Sequence, residues 1–260
     1  MNDGSTFGRA HRNAQLLTEP VPKLDICFSP ELLPLYDLNG QVAVIVDILR
    51  ASSTIVTALG EGVTHVFPVA SLDECTAYGQ QHGCLTAAER DGLPAPGFDL
   101  GNSPFGFLDA ARPVRGRALS ISTTNGTAAL RRSLAAAEIV VGSFLNLAAV
   151  ADFARQQQRD VLVVCAGWKG QFCLEDTVFG GALAERLSAD FDVHSSDATL
   201  AALHLWEQGR ADLPAYLLQS AHVRRLNSLE ASQDFDFCLR IDSYPGVLPV
   251  WREDRLVNND

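Results

Sequence analysis

Short, almost unbroken apolar runs alternate along this chain with Ala- and Leu-rich stretches of helical period. The runs Val42–Ile48, His65–Val69, Cys84–Ala87, Ala118–Ser122, Ile139–Gly142 and Val161–Cys165 are dense in apolar residues, the pattern of strands covered on both faces. Helices are predicted after them at Ser53–Gly60, Leu72–His82, Gly126–Ala137, Leu145–Gln157 and Leu174–Ala189. From Ser196 the pattern turns helical through Ala198–Gln208, Pro214–Ser220 and Ala221–Leu229, before a β-like tail at Val247–Trp251 and Arg255–Val257. Such alternation predicts an α/β fold, a three-layer α/β/α unit with a largely parallel or mixed sheet and a helical C-terminal part. Residues 1–22 read as a flexible tail and 23–260 as one α/β unit, in which the C-terminal part could form a second lobe. No Pro/Gly/Ser linker, internal repeat or low-complexity tract divides it.

Composition narrows the function classes. No apolar run of the 260-residue chain approaches the roughly 20 residues that span a bilayer. A net charge of −11 argues against nucleic acid, which is bound through a basic surface. An anionic small molecule would need a local basic site within this acidic whole. The six cysteines include no CxxC pair, so neither a disulfide framework nor a zinc knuckle is predicted. With no apolar stretch after Arg9 and Arg12 to suggest a secretory signal, the expected setting is the cytoplasm.

Candidate chemistry concentrates in Val46–Thr54, where a strand is predicted to deliver Asp47 and Arg50 into a turn that opens a helix. Helix N-termini offer unpaired N–H groups and a positive dipole end, so a phosphate fits there, with Asp47 suited to a metal and Arg50 to an oxyanion. The same residues also fit a structural role, with Ser52, Ser53 or Thr54 capping the helix and Asp47 paired to Arg50. Thr123-Thr124-Asn125-Gly126-Thr127 follows a predicted strand and could cradle phosphate through converging amides and hydroxyls, or simply cap a turn. The breaker-rich loop Asp91–Pro104 carries Asp99, Asn102 and Ser103, and Glu175-Asp176 opens a helix after Gly167–Gly170.

Taken in order, Asp47–Thr54, Glu89-Arg90, Gly97–Pro104, Thr123–Thr127, Gly142–Asn146, Ala166-Gly167 and Leu174–Asp176 resemble the blocks of the 2-phosphosulfolactate phosphatase family, over about Val42 to Asp260. These are magnesium-dependent acid phosphatases named for a step of coenzyme M biosynthesis. The resemblance implies hydrolysis of 2-phospho-3-sulfolactate to 3-sulfolactate and phosphate. Mg2+ takes octahedral oxygen coordination with one or two carboxylates, so Asp47, Glu89, Glu175 and Asp176 are its candidate ligands. Catalysis falls to Asp47, Arg50, Glu89 and Arg90, and substrate binding to Ser52, Ser53, Asn102, Ser103, Thr124, Asn125, Gly126, Thr127 and Asn146. Lys169 or Arg90 would meet the sulfonate. A homodimer is left open. The family often has glycine where Ala87-Ala88 stand, and Trp168-Lys169 vary a loop; both bear on substrate preference. A related phosphatase acting on another phosphorylated 2-hydroxy acid, or a non-catalytic phosphate binder, remain as alternatives.

Two other mechanisms are not supported. Cys84 to Arg90 has the CxxxxxR spacing of cysteine phosphatases, but the interval lacks glycine and reads as a strand. Leu49 stands where a haloacid-dehalogenase-type site would place its second acid. The histidines form no HxH or HExxH cluster, His204 reads as packed in an apolar helix, and Trp168 is placed to line a pocket.

Overall fold

The computed structural model describes residues 21–227 and 232–259. The predicted tail therefore lies almost wholly outside the described residues. Ten strands are present among them: β1 Leu24–Cys27, β2 Val42–Val46, β3 Val66–Pro68, β4 Leu85–Arg90, β5 Leu93–Pro94, β6 Leu119–Ser122, β7 Glu138–Gly142, β8 Val161–Cys165, β9 Pro249–Arg252 and β10 Arg255–Asn258. The α-helices are α1 Ala51–Gly60, α2 Leu72–His82, α3 Phe105–Leu108, α4 Gly126–Arg132, α5 Leu147–Gln157, α6 Leu174–Leu187, α7 Asp197–Gly209, α8 Leu213–Leu217, α9 Ala221–Asn227 and α10 Ser232–Cys238.

All the strands join one sheet in the order β1-β8-β2-β7-β9-β10-β3-β6-β4-β5. It consists of two parallel blocks, β1-β8-β2-β7 and β3-β6-β4. The hairpin β9–β10 lies between them and pairs antiparallel with β7 on one side and with β3 on the other. The sheet is therefore mixed, and the β-like tail seen in the sequence is its central seam.

Alternation along β2 shows how the layers form. Val42, Val44 and Val46 face a core shared with α5, α6 and α7, whereas Ala43 and Ile45 face a second core. That second core collects Ile55, Ala58 and Leu59 of α1 and Ala129 and Leu130 of α4, together with residues of β3, β4, β6, β7 and β8. One sheet face thus reaches the same helices from both blocks, as a sheet twisting over many strands does. The carboxyl ends of β2 and β6 then lie close together: a Cβ on Gly126, just past β6, would sit 3.0 Å from Asp47 Oδ2 and 2.9 Å from the Ala51 Cβ. Glycine is required there by close approach.

Several predicted boundaries change. Helix α4 stops at Arg132, where Ser133 takes over as C-cap, so the Ala-rich continuation to Ala137 is not helical. Strand β1 was not predicted; it is only four residues, LDIC, and carries a charge. The loop Asp91–Pro104 is not wholly irregular, because Leu93–Pro94 turns back on Glu89-Arg90 as β5. Cys84 immediately precedes β4 and Arg90 ends it, so the CxxxxxR interval is extended strand. His204 is exposed and pairs with Glu207, contrary to the packing expected of it. Helix α7 buries Thr199, Ala202 and Trp206, and a residue two positions from each of the latter two points away. Residues 228–229, the predicted end of the helix that starts at Ala221, lie outside the described residues.

Candidate functional site

Where the carboxyl ends of β2 and β4 meet α9, a cleft of about 280 Å³, counting the part open to solvent, is lined by Asp47, Arg50, Glu89, Asn102, Asn125 and Trp168 and closed by His222 and Arg225. Only about 20 Å³ of it admits the centre of a water-sized molecule, so the cleft is narrow.

Asp47 is the first residue after β2, where the strand can no longer pair and its side chain meets the opening turn of α1. Its Oδ1 accepts weakly from Ala51 N at 3.4 Å, while its own N donates to Ser52 Oγ at 2.8 Å. Ser52 and Ser53 are therefore structural: Ser52 Oγ also donates to Ile45 O, and Ser53 Oγ donates to Ile48 O at 2.9 Å. The alternative that one of them caps α1 does not hold either, since its N-cap is Arg50, without a side-chain cap bond. Nor does Asp47 pair with Arg50. Arg50 forms a buried ion pair with Asp234 of α10 and donates to Gly92 O at 2.7 Å. Ser103 Oγ donates to the other oxygen of Asp234 at 2.6 Å, behind the cleft.

Burial pushes the Asp47 carboxyl up to about 6, aided by the nearby charges of Glu89 and Glu175 and opposed by His222 and the Ala51 N–H. Glu89, near the end of β4, accepts from Gly92 N and, at 3.4 Å, from Thr124 Oγ1. Arg90 turns the other way, donating to Glu89 O at 2.6 Å and to Ser122 Oγ at 3.2 Å. Asn102 is buried, and its Oδ1 has no hydrogen-bond partner among the described residues, an arrangement that calls for a donor in the cleft. Asn125 reaches the cleft with its Oδ1 held by Lys169 N at 3.1 Å. Thr127 bonds back to Thr123 O at 3.0 Å within its own turn.

The other two acids are engaged elsewhere. Asp176 accepts from Ile48 N at 2.9 Å and from Gly167 N at 3.1 Å, one bond on each oxygen, and so ties the loops after β2 and β8 together. Burial, with Glu175 and Asp47 nearby, drives its carboxyl well above the usual range. Glu175 accepts from Ser220 Oγ at 3.0 Å and from His222 Nδ1 at 2.5 Å. Burial works against its charge, but the His222 bond and charge outweigh it and hold the Glu175 carboxyl below its ordinary value. Asn146 is not among the residues that line the cleft. It accepts from Ser143 N at 2.9 Å and donates to Val141 O and Val247 O, anchoring the chain that leads into β9.

Three participants were not found in the sequence: His222, Arg225 and Asp234. His222 and Arg225 stand three apart on α9, a spacing that shares one helix face and was the available signal. Trp168 joins them as expected. It is fixed by a two-bond turn with Gln171, which Gly167 permits at φ 61, since a Cβ there would lie 2.2 Å from Gln171 O. The Arg225 guanidinium lies 3.6 Å from the Trp168 ring centroid, and the His222 ring stacks on the same indole at 5.6 Å. Lys169 leans toward the indole and pairs with Asp91 at 3.0 Å on the surface.

Among groups that could hold a metal, Asp47 and Glu89 are the carboxylates that face the cleft. Cys173 lies beside Glu175 and His222 in a compact cluster whose ligand atoms come within 4.8 Å of one another, and burial and the adjacent acids push its thiol far up. All six cysteines are buried and free. No helix among the described residues is long and apolar enough to cross a membrane.

Comparison with known proteins places the chain in one family. The model of the 2-phosphosulpholactate phosphatase family matches residues 27–254, which contain every cleft residue named above. A protein of Synechococcus sp. named probable 2-phosphosulfolactate phosphatase is 38% identical over 235 residues, 85% of this chain and 96% of its own length. One of the same name from Cyanothece sp. is 36% identical over 243 residues, 89% of this chain and 97% of its own. Another, from Caldanaerobacter subterraneus subsp. tengcongensis, is 35% identical over 211 residues, 80% of this chain and 87% of its own. The chain belongs to the 2-phosphosulpholactate phosphatase family.

Proposed function

We propose that this family member is a magnesium-dependent phosphomonoesterase that hydrolyses 2-phospho-3-sulfolactate to 3-sulfolactate and phosphate. The observation that carries the reading is the convergence of Asp47 and Glu89, from the ends of two strands in different parallel blocks, on one small cleft. Two carboxylates in a compact cleft suit Mg2+, which keeps its remaining positions for water and phosphate oxygens. The raised carboxyl of Asp47 fits the same role, because a buried acid crowded by others gains most from a cation. The bound ion would neutralise phosphate charge and lower the barrier to displacement.

The chain's own residues do the rest. Arg50 presents a permanent positive charge at the cleft wall, anchored from behind by Asp234. Asn102 Oδ1 offers an acceptor to a water or hydroxyl in the cleft. Thr124 and the Gly92 amide hold the Glu89 carboxylate in place. Arg225 is our choice for the sulfonate: its guanidinium lies against Trp168 at the cleft wall, and a guanidinium is the cation best matched to an oxyanion. Among the described residues, Arg225 lines the cleft whereas Arg90 and Lys169 do not.

The test is phosphate release from 2-phospho-3-sulfolactate and from 2-phospholactate, with MgCl2 and with EDTA. Metal-dependent release with a preference for the sulfonate is expected. Release unaffected by chelation would remove the metal from the reading, and equal rates on both esters would remove the sulfonate.

A further inference from the structure

Cleaving the phosphate from a 2-hydroxy acid leaves a secondary alkoxide, a strongly basic leaving group whose departure a proton donor at the ester oxygen would speed. We infer that His222 is that donor and that Glu175 is its positioning residue; the inference rests on the phosphomonoesterase reading above. The imidazole is held on its edge and on its face. At the edge, Nδ1–H donates to Glu175, whose other oxygen is fixed by Ser220 Oγ. On the face, the ring stacks against Trp168 with 23° between planes. The side chain is 9% exposed and closes the cleft wall, and with Nδ1 engaged, Nε2 is the nitrogen left for the cleft. A histidine oriented through Nδ1 by a carboxylate presents a defined Nε2 to its target.

The other groups at the cleft are poorly suited to this task. Asp47 and Glu89 are assigned to the cation, Arg50 is permanently charged, and Asn102 and Asn125 carry no labile proton. The charged and titratable groups around His222 are Glu175, Cys173 and Asp47, with Arg225 across the same indole.

In the step itself, a water oxygen bonds to phosphorus as the bond from phosphorus to the ester oxygen breaks. The electron pair of that bond stays on the ester oxygen, which takes the Nε2 proton to give the alcohol. The proton lost by the attacking water restores the imidazolium by way of solvent. The sum is ester plus water to alcohol plus phosphate.

The test compares esters that differ in their need for a proton. Phosphate release from 2-phospholactate would be measured beside release from acetyl phosphate or 4-nitrophenyl phosphate, whose leaving groups depart as stable anions, for the unmodified protein, His222→Gln and Glu175→Gln. For His222→Gln, kcat on 2-phospholactate is expected to fall by about 10²–10⁴ and on the activated ester by less than about tenfold. The basic limb of the pH profile for 2-phospholactate should flatten with it. Glu175→Gln should show the same contrast at smaller size, and serves as the test should His222→Gln fail to fold. Equal losses on both esters, or an unchanged basic limb, would overturn the inference. No release from any ester by the unmodified protein would instead overturn the phosphomonoesterase reading, and this inference with it.

Discussion

Arg50 and Asp234, 184 residues apart in the chain, form a buried ion pair at the foot of the cleft. Because Arg50 also donates to Gly92 O, and Ser103 to Asp234, this pair fastens the start of α1, the turn after β4 and the helix α10 to one point. The residue that sequence reasoning gave to the substrate is thus a cleft wall with a structural partner.

Removing one member of such a pair leaves the other charged and buried. Asp234→Ala is therefore expected to destabilise the protein by about 3–5 kcal/mol, whereas Asp234→Asn, which keeps the shape and an acceptor, should lose less. Urea unfolding of the two variants measures this. A change below about 1 kcal/mol for Asp234→Ala would show that water reaches Arg50 and the pair is not closed.

Asp47→Asn separates catalysis from folding. The substitution keeps the size of the side chain and removes the charge facing the cleft, so turnover should fall by orders of magnitude. Because burial disfavours that charge, the metal-free variant should be more stable than the parent at pH 8, by on the order of 1–3 kcal/mol. Phosphate release and thermal melting of the same preparation test both halves. Near-normal turnover would take Asp47 out of the reaction.

The pH dependence follows from the direction of the shifts. Asp47, raised to about 6, holds its proton more tightly when folded than when unfolded. Between about pH 4 and 6 the folded chain then binds more protons, and its stability falls as pH rises through that window. Asp176, raised further, extends the fall upward, whereas Glu175 is lowered and contributes stability that is lost only in acid. A cation between Asp47 and Glu89 must displace protons below this range, so MgCl2 should raise Tm more at pH 8 than at pH 5. Equal shifts at both pH values would place the ion elsewhere.

Arg225→Ala tests recognition. The variant should raise KM for 2-phospho-3-sulfolactate by roughly ten- to a hundredfold with little change in kcat, and leave KM for 2-phospholactate within a few-fold. A loss shared by both esters would assign Arg225 to the phosphate instead.

Much of the fold was legible where local pattern decides it. The strands β2, β6 and β8 and the helices α2 and α6 fall within about two residues of their predicted ends, because continuous apolar runs and helix caps such as Ser71 are local signals. The order of the strands was not legible, since nothing within Pro249–Asn258 says that it pairs with β7 and β3. The site divides along the same line. Asp47, Asn102 and Asn125 stand in polar stretches beyond strand ends and Glu89 at the end of a strand, and all four could be read directly. His222, Arg225 and Asp234 sit on short helices far along the chain and gain meaning only where α9 lines the cleft and α10 meets Arg50. Glu175 and Asp176 were read as candidate metal ligands. The structure engages their oxygens with His222, Ser220 and two backbone amides, partners that sequence spacing does not reveal.

The seam made by β9–β10 also imposes an order of events during synthesis. Until residues 249–258 have left the ribosome, β7 and β3 are both open edges, and the two parallel blocks can each form but cannot be joined. The nascent chain carries its cleft residues on two halves whose strands join into one sheet only when one late hairpin is placed between them. Such distant pairing predicts slow folding and a window in which the exposed edges can find those of a neighbouring chain.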